Sequence, residues 1–129
     1  MPVTRESIEL TLRELNNAEN SDSMSAEEKS AVVDRLSAAD VHGWANGADR
    51  GGRDAERQFE AFLWTSFPNY HREFEAVLVD PPRASVQWRM TGSSEALEME
   101  MDLSGATLLN FDQDSKIKEF WLYYHDPLA

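Results

Sequence analysis

At Pro68 the spacing of apolar residues switches from a helical period to a strand period, and that switch limits the fold to helices first and sheet afterwards. Upstream, Ala55, Phe59, Phe62, Leu63 and Phe67 recur at about 3.6 residues, with Asp54 as the expected cap and Pro68 as the stop. This stripe is the clearest in the chain, so its helix is expected to be the most buried. Downstream, Phe74, Ala76 and Leu78 alternate with Glu73, Glu75 and Val77 up to the turn Asp80-Pro81-Pro82. Val86, Trp88 and Met90 then alternate with Gln87, Arg89 and Thr91, and Gly92-Ser93-Ser94 is expected to turn the chain. The run Leu97–Phe111 returns it, with an interruption expected near Ser104-Gly105, and Asp112-Gln113-Asp114-Ser115 connects to a last strand over Lys116–Tyr124.

Two further helices precede this block. Thr4 can cap one whose apolar positions Ile8, Leu12 and Leu15 share a face, with Asn16-Asn17 weakening its far end. After the polar loop Asn20-Ser21-Asp22-Ser23, Ser25 and Glu28 form a capping box ahead of Val32, Val33 and Leu36. Ala39–Trp44 reads as a short strand, and Gly43, Gly47 and Gly51-Gly52 as turn signals. Helix, helix, strand, helix and then an antiparallel meander make an α+β layout, a curved sheet wrapped around about three helices, in one domain over residues 1–129.

Charge and composition narrow the function classes. Twenty-four acidic against 12 basic residues give a net charge of −12. Nucleic acid and anionic membrane surfaces are therefore not expected partners, because phosphate binding relies on clustered cations. There are no cysteines, so thiol nucleophiles, thiolate metal sites and disulfides are excluded. His42, His71 and His125 show no i, i+4 ligand spacing, and no metal is expected. The N-terminal stretch is charged from Arg5 onward and lacks an apolar span, so a cytoplasmic location is expected.

Three words in this order, Phe67-Pro68-Asn69-Tyr70, Val86-Gln87-Trp88-Arg89-Met90-Thr91-Gly92 and Phe111-Asp112-Gln113-Asp114-Ser115-Lys116-Ile117-Lys118-Glu119-Phe120-Trp121, resemble the nuclear-transport-factor-2-like superfamily. Within it the chain looks most like the SnoaL-like polyketide cyclases and the ketosteroid isomerases; Asp40-Val41 and Gly52-Arg53-Asp54-Ala55 fit weaker positions. The resemblance implies a cone-shaped sheet, of the cystatin-like α+β barrel type, around an apolar pocket. It implies Trp44, Phe59, Leu63, Trp88, Arg89, Thr107, Leu109, Phe120, Leu122 and Tyr124 as ligand-binding residues. A hydrophobic, cyclic or polyketide-like molecule is the implied ligand, without a cofactor, and a homodimer through the outer sheet face is the implied assembly. An exposed strand face carrying Trp121 and Tyr123 agrees with that assembly, since such a patch is unusual on a monomer.

The family's chemistry has to be checked residue by residue. The ketosteroid isomerase positions fall at Leu12, Trp44-Ala45 and Thr107, so neither its base nor its oxyanion hole is retained. The cyclase His position reads Ser93-Ser94, and the terminal Asp position holds His125, with Asp126 one place later. An epoxide-hydrolase arrangement would use Arg89, but the partner two residues on is Thr91. His125 and Asp126 are left as the candidate acid–base residues. Strand parity lets only one of them face the pocket: Asp126 if Phe120, Leu122 and Tyr124 point inward, His125 if Trp121 and Tyr123 do. The plainer reading makes both a frayed end. Arg89 fits a cross-strand pair with Glu100 or Asp102 better than a ligand contact. Met90, Met99 and Met101 suit either core or pocket, and Glu95–Asp102 reads as a solvated strand face. Two functions follow: a cofactor-independent cyclase, isomerase or lyase, or a non-catalytic binding or dimerisation module.

Overall fold

In the computed structural model, which describes residues 3–125, the elements are α1 (Arg5–Glu19), α2 (Ala26–Leu36), β1 (Ser37–Ala45), β2 (Ala48–Gly51), α3 (Arg53–Ser66), β3 (His71–Asp80), β4 (Arg83–Ser94), β5 (Met99–Phe111) and β6 (Ile117–Tyr124). The strands form one curved, open sheet in the order β2-β1-β6-β5-β4-β3. It is mixed rather than wholly antiparallel, because β1 lies parallel to β6. The tight β1–β2 hairpin explains this placement. Asn46 and Gly47 take positive φ in its turn. The turn is fastened to the end of β6, with Asn46 N donating to the Leu122 carbonyl at 2.8 Å and Tyr124 N to Asn46 Oδ1 at 3.0 Å. No helix among the described residues is long and apolar enough to cross a membrane.

Both N-terminal caps form. At α1, Ser7 N donates to Thr4 Oγ1 and Thr4 N to Ser7 Oγ, and Ser25 and Glu28 do the same at α2. Asn16-Asn17 does not end α1, because the Asn16 and Asn20 amides donate to the Arg72 carbonyl at 2.8 and 2.9 Å and so bind the last turn to β3. Near its middle α1 is gripped by the β5–β6 hairpin: Thr11 Oγ1 donates to the Ser115 carbonyl at 2.9 Å.

The helix expected to be most buried is instead a roof. No residue of α3 is buried, and Phe62 is 49% exposed. Phe67, at its C-cap, is buried in the core, and Leu63 and Trp64 pack against it while partly exposed. Its inner face carries charge as well as apolar groups, so it closes over the sheet without plugging it. Gly52, not Asp54, is the N-cap, and no side chain caps the helix.

Strand registers correct three expectations. A bulge in β3 between Phe74 and Ala76 inverts the alternation, leaving Leu78 72% exposed and burying Val79. Strand β4 continues through Gly92-Ser93-Ser94, and the turn falls at Glu95–Glu98. Strand β5 runs unbroken past Ser104-Gly105, since Gly105 pairs with Trp88 on one side and Tyr124 on the other. A Cβ there would lie 2.7 Å from the Trp88 ring and 2.6 Å from the Tyr123 carbonyl oxygen. Val86, Trp88, Leu109, Phe111 and Ile117 pack with Ile8 and Leu12 as the main core. Gly105→Ala should therefore cost about 1–3 kcal/mol through overpacking, read as a lower urea midpoint; an unchanged midpoint would show that the Trp88 contact can relax.

Candidate functional site

Between the α3 roof and the concave sheet face lies a cavity of ≈ 210 Å³. Phe120, Leu122 and Tyr124 of β6 point into it, whereas Tyr123 is exposed and Trp121 stacks on Trp44 at 5.2 Å on the outside. Phe59, Leu63, Trp88, Thr107 and Leu109 also line it, with Met90, Met101 and Leu103 filling the wall between β4 and β5. Met99 is exposed.

Polar groups converge in two places. On the sheet side, Arg72 Nη1 donates to Glu19 Oε2 at 3.0 Å, and the Tyr70 hydroxyl donates to the same oxygen at 3.2 Å. Arg72 Nη2 and Trp88 Nε1 both donate to Thr107 Oγ1, at 3.3 and 2.8 Å. The Arg72 guanidinium lies 5.0 Å from the centre of the Trp88 ring and 5.3 Å from that of Phe74. Burial opposes the charge on Arg72, but Glu19 and Tyr70 outweigh it and hold the guanidinium more firmly protonated than usual. Burial, reinforced by the Glu19 charge, pushes the Tyr70 hydroxyl well above the ordinary tyrosine range. Lys29 Nζ reaches down from α2 to the Glu19 carbonyl at 2.8 Å, and burial lowers its pKa.

The second place is the roof. Glu56 and Glu60, four residues apart, share the cavity face of α3. Arg50 Nε donates to Glu56 Oε1 at 2.7 Å while its guanidinium lies 3.7 Å over the Phe59 ring. Burial raises the Glu56 pKa, and Arg50 opposes the rise. Among the described residues no cation is paired with Glu60: Ser30 Oγ donates to its Oε1 at 3.2 Å, and burial, with Glu56 next, raises its pKa to about 8. Arg53 spends its Nη2 on the carbonyls of Asp34, Ser37 and Ala38, closing the end of α2. Among the described residues, the buried side-chain atoms without a hydrogen-bond partner are Glu19 Oε1, Arg53 Nε, Trp64 Nε1 and Arg72 Nε, all on cavity-lining residues.

Two expected ligand contacts face away. Trp44 shares the outer face with Trp121, because β1 and β6 are in register there. Arg89 is also outside and grips Asp102 through two bonds of 2.8 and 2.7 Å, with Asp102 raising its pKa; the partner is Asp102 rather than Glu100. His125 is exposed just past β6 and does not line the cavity. Asp126 lies outside the described residues.

Glu19, Arg50, Glu56, Glu60, Tyr70 and Arg72 were not singled out by residue pattern, although two signals were present. Glu56, Glu60, Leu63 and Phe67 fall at i, i+4, i+7 and i+11, placing two acids on an apolar stripe. Arg72 shares strand parity with Phe74.

A SnoaL-like domain model matches residues 17–120. No curated protein matches the chain. Among solved structures, a protein of Jannaschia sp. assigned to the SnoaL-like polyketide cyclases superposes with a TM-score of 0.75 at 19% identity, over 96% of this chain and 88% of that one. AclR from Streptomyces galilaeus, assigned as a hydroxylase, gives 0.79 at 14% identity over 97% and 94%. A cystatin-like-fold protein of unknown function from Methylobium petroleophilum gives 0.73 at 15% identity over 100% and 82%. At these identities the likeness is one of fold.

The Arg72–Glu19 pair predicts a clear mutational pattern. Arg72→Met leaves a buried carboxylate without its counter-charge and should cost about 3–5 kcal/mol, while the double variant Arg72→Met/Glu19→Gln should recover much of that loss. Additive losses in urea unfolding would show that the two groups do not act as a pair.

Proposed function

The chain belongs to the SnoaL-like domain family, and from that premise we propose that it binds a small hydrophobic molecule, cyclic or polyketide-like, inside the cavity and transforms it by general acid–base chemistry without a cofactor. The observation that carries this reading is the cavity itself: an apolar wall interrupted by a few converging polar side chains is the usual construction of a small-molecule site. The polyketide-like class is suggested by the cyclase assignment of the Jannaschia protein.

At the C-terminal end the acid–base role is proposed for Asp126 rather than His125. This follows the alternation read from the sequence, in which Asp126 is the choice when Phe120, Leu122 and Tyr124 are the inward set. A non-catalytic binding module is the second reading, favoured by the loss of the isomerase positions at Leu12 and Thr107 and by the outward place of His125. The outer sheet face supports a homodimer as part of the proposal: Trp44 and Trp121 stack there, and Leu108 and Tyr123 are exposed beside them.

A native mass spectrum of the purified protein tests subunit number and retained ligand together. The expected result is a dimer with a discrete small-molecule adduct, released by Leu63→Trp, which fills the cavity from the roof. A monomer without an adduct, and without a mass shift on adding polycyclic phenols or ketones, would contradict the proposal.

A further inference from the structure

The roof of the cavity treats its two carboxyl groups differently. Glu56 is ion-paired with Arg50, whose guanidinium lies over the Phe59 ring. Glu60 receives only the Ser30 hydroxyl, on Oε1, and no described protein group donates to Oε2. The other cations lining the cavity are committed elsewhere: Arg53 to the carbonyls ending α2, and Arg72 to Glu19 and Thr107.

Three carboxylates act on Glu60, and Arg57, the cation nearest it on its own helix, is bound to Asp34 instead. Glu56 comes from its own helix, Asp34 from α2 and Glu19 from α1, and each discourages a further negative charge. An apolar wall with carboxylate neighbours and no cation paired to it favours the neutral form of a carboxyl group, and a neutral carboxyl is a hydrogen-bond donor. Burial raises both carboxyl groups, but only Glu56 has an arginine opposing the rise, and such a difference between neighbours is the pattern by which enzymes separate an acid from a nearby carboxylate.

We propose that Glu60, on the cavity face of α3, donates a proton to an oxygen of the bound molecule, so that the ligand is a neutral compound carrying a carbonyl or hydroxyl oxygen. This deepens the small-molecule reading above and rests on it. The Glu60 O–H bond breaks as a new O–H bond forms on the ligand, and the bonding electron pair stays on the carboxylate. Water or the departing product then returns a proton, and no oxidant or reductant takes part. Glu56 is a positioning residue, which acts through its charge on Glu60. The pKa of about 8 agrees with a proton resident near neutral pH.

Calorimetric binding of 2-acetylnaphthalene, a neutral aromatic ketone, to the wild type, Glu60→Gln and Glu60→Leu tests this. The Glu60 proton is present below its pKa and lost above it. Wild-type affinity should therefore fall about tenfold or more between about pH 6 and about pH 9.5, as a donor becomes an anion facing the ketone oxygen. Glu60→Gln, which keeps a neutral donor, should bind as tightly as the wild type at the lower pH and show no pH dependence. Glu60→Leu should bind about tenfold more weakly throughout. In the wild type at the lower pH the infrared carbonyl stretch of the bound ketone should shift down, and the shift should vanish at the higher pH. Equal, pH-independent affinity in all three proteins would overturn the role of Glu60 while leaving the cavity as a binding site. No binding by any of the three would overturn the cavity reading and this proposal with it.

Discussion

Arg72 and Glu19 meet where four elements converge, and the shape of the cavity depends on that buried contact. Glu19 ends α1, and Arg72 lies one residue into β3. Their side chains pair at 3.0 Å, while the Arg72 backbone is bound to Asn16 and Asn20 from the same helix end. Lys29 adds α2 through the Glu19 carbonyl, and Thr107 adds β5 through Arg72 Nη2. A buried ion pair is weak evidence for net stability, because desolvation offsets much of its attraction. Its contribution here is geometric. It fixes the helical layer against the far edge of the sheet with polar bonds, so the space between need not be filled by side chains.

Curvature supplies the rest of the cavity. Register shifts at Gly43/Trp44, Phe74/Ala76 and Asn110/Phe111 bend strands at both edges and near the hairpin. Gly43 lets Phe120 lie against β1, since a Cβ there would come within 2.1 Å of the ring. The sheet therefore curls toward α3 without closing. Because α3 presents Arg53, Glu56 and Glu60 beside Leu63 and Trp64, it cannot sink into the core as an apolar helix would, and the volume beneath it persists.

Local signals read well from the sequence because they depend on few neighbours. Thr4, Ser25 with Glu28, the Asp112–Ser115 hairpin and the inward set Val86, Trp88 and Met90 are each settled within a few residues of chain. What the sequence hid depends on tertiary placement. The β3 bulge changes which of Leu78 and Val79 is inside, and no local spacing announces it. The parallel β1–β6 pairing joins strands separated by most of the chain. The stripe on α3 read as core because apolar period reports a preferred face, not what covers it. The same blind spot concealed Glu56 and Glu60. Trp44 fell on the wrong side of the sheet because family position does not fix strand parity when a bulge adjoins, whereas Arg89 faces outward by simple alternation with Trp88 and Met90.

An unfilled, largely apolar space separates α3 from the sheet while Arg72 stays folded inward on Glu19. A crystal structure determined under xenon pressure tests it directly, since xenon enters dry apolar cavities and leaves polar ones. Xenon is expected beneath Leu63, against Met90, Leu103 and Phe120, with Arg72 and Glu19 still paired alongside. A roof collapsed onto the sheet, with no xenon there and Arg72 turned to solvent, would contradict it.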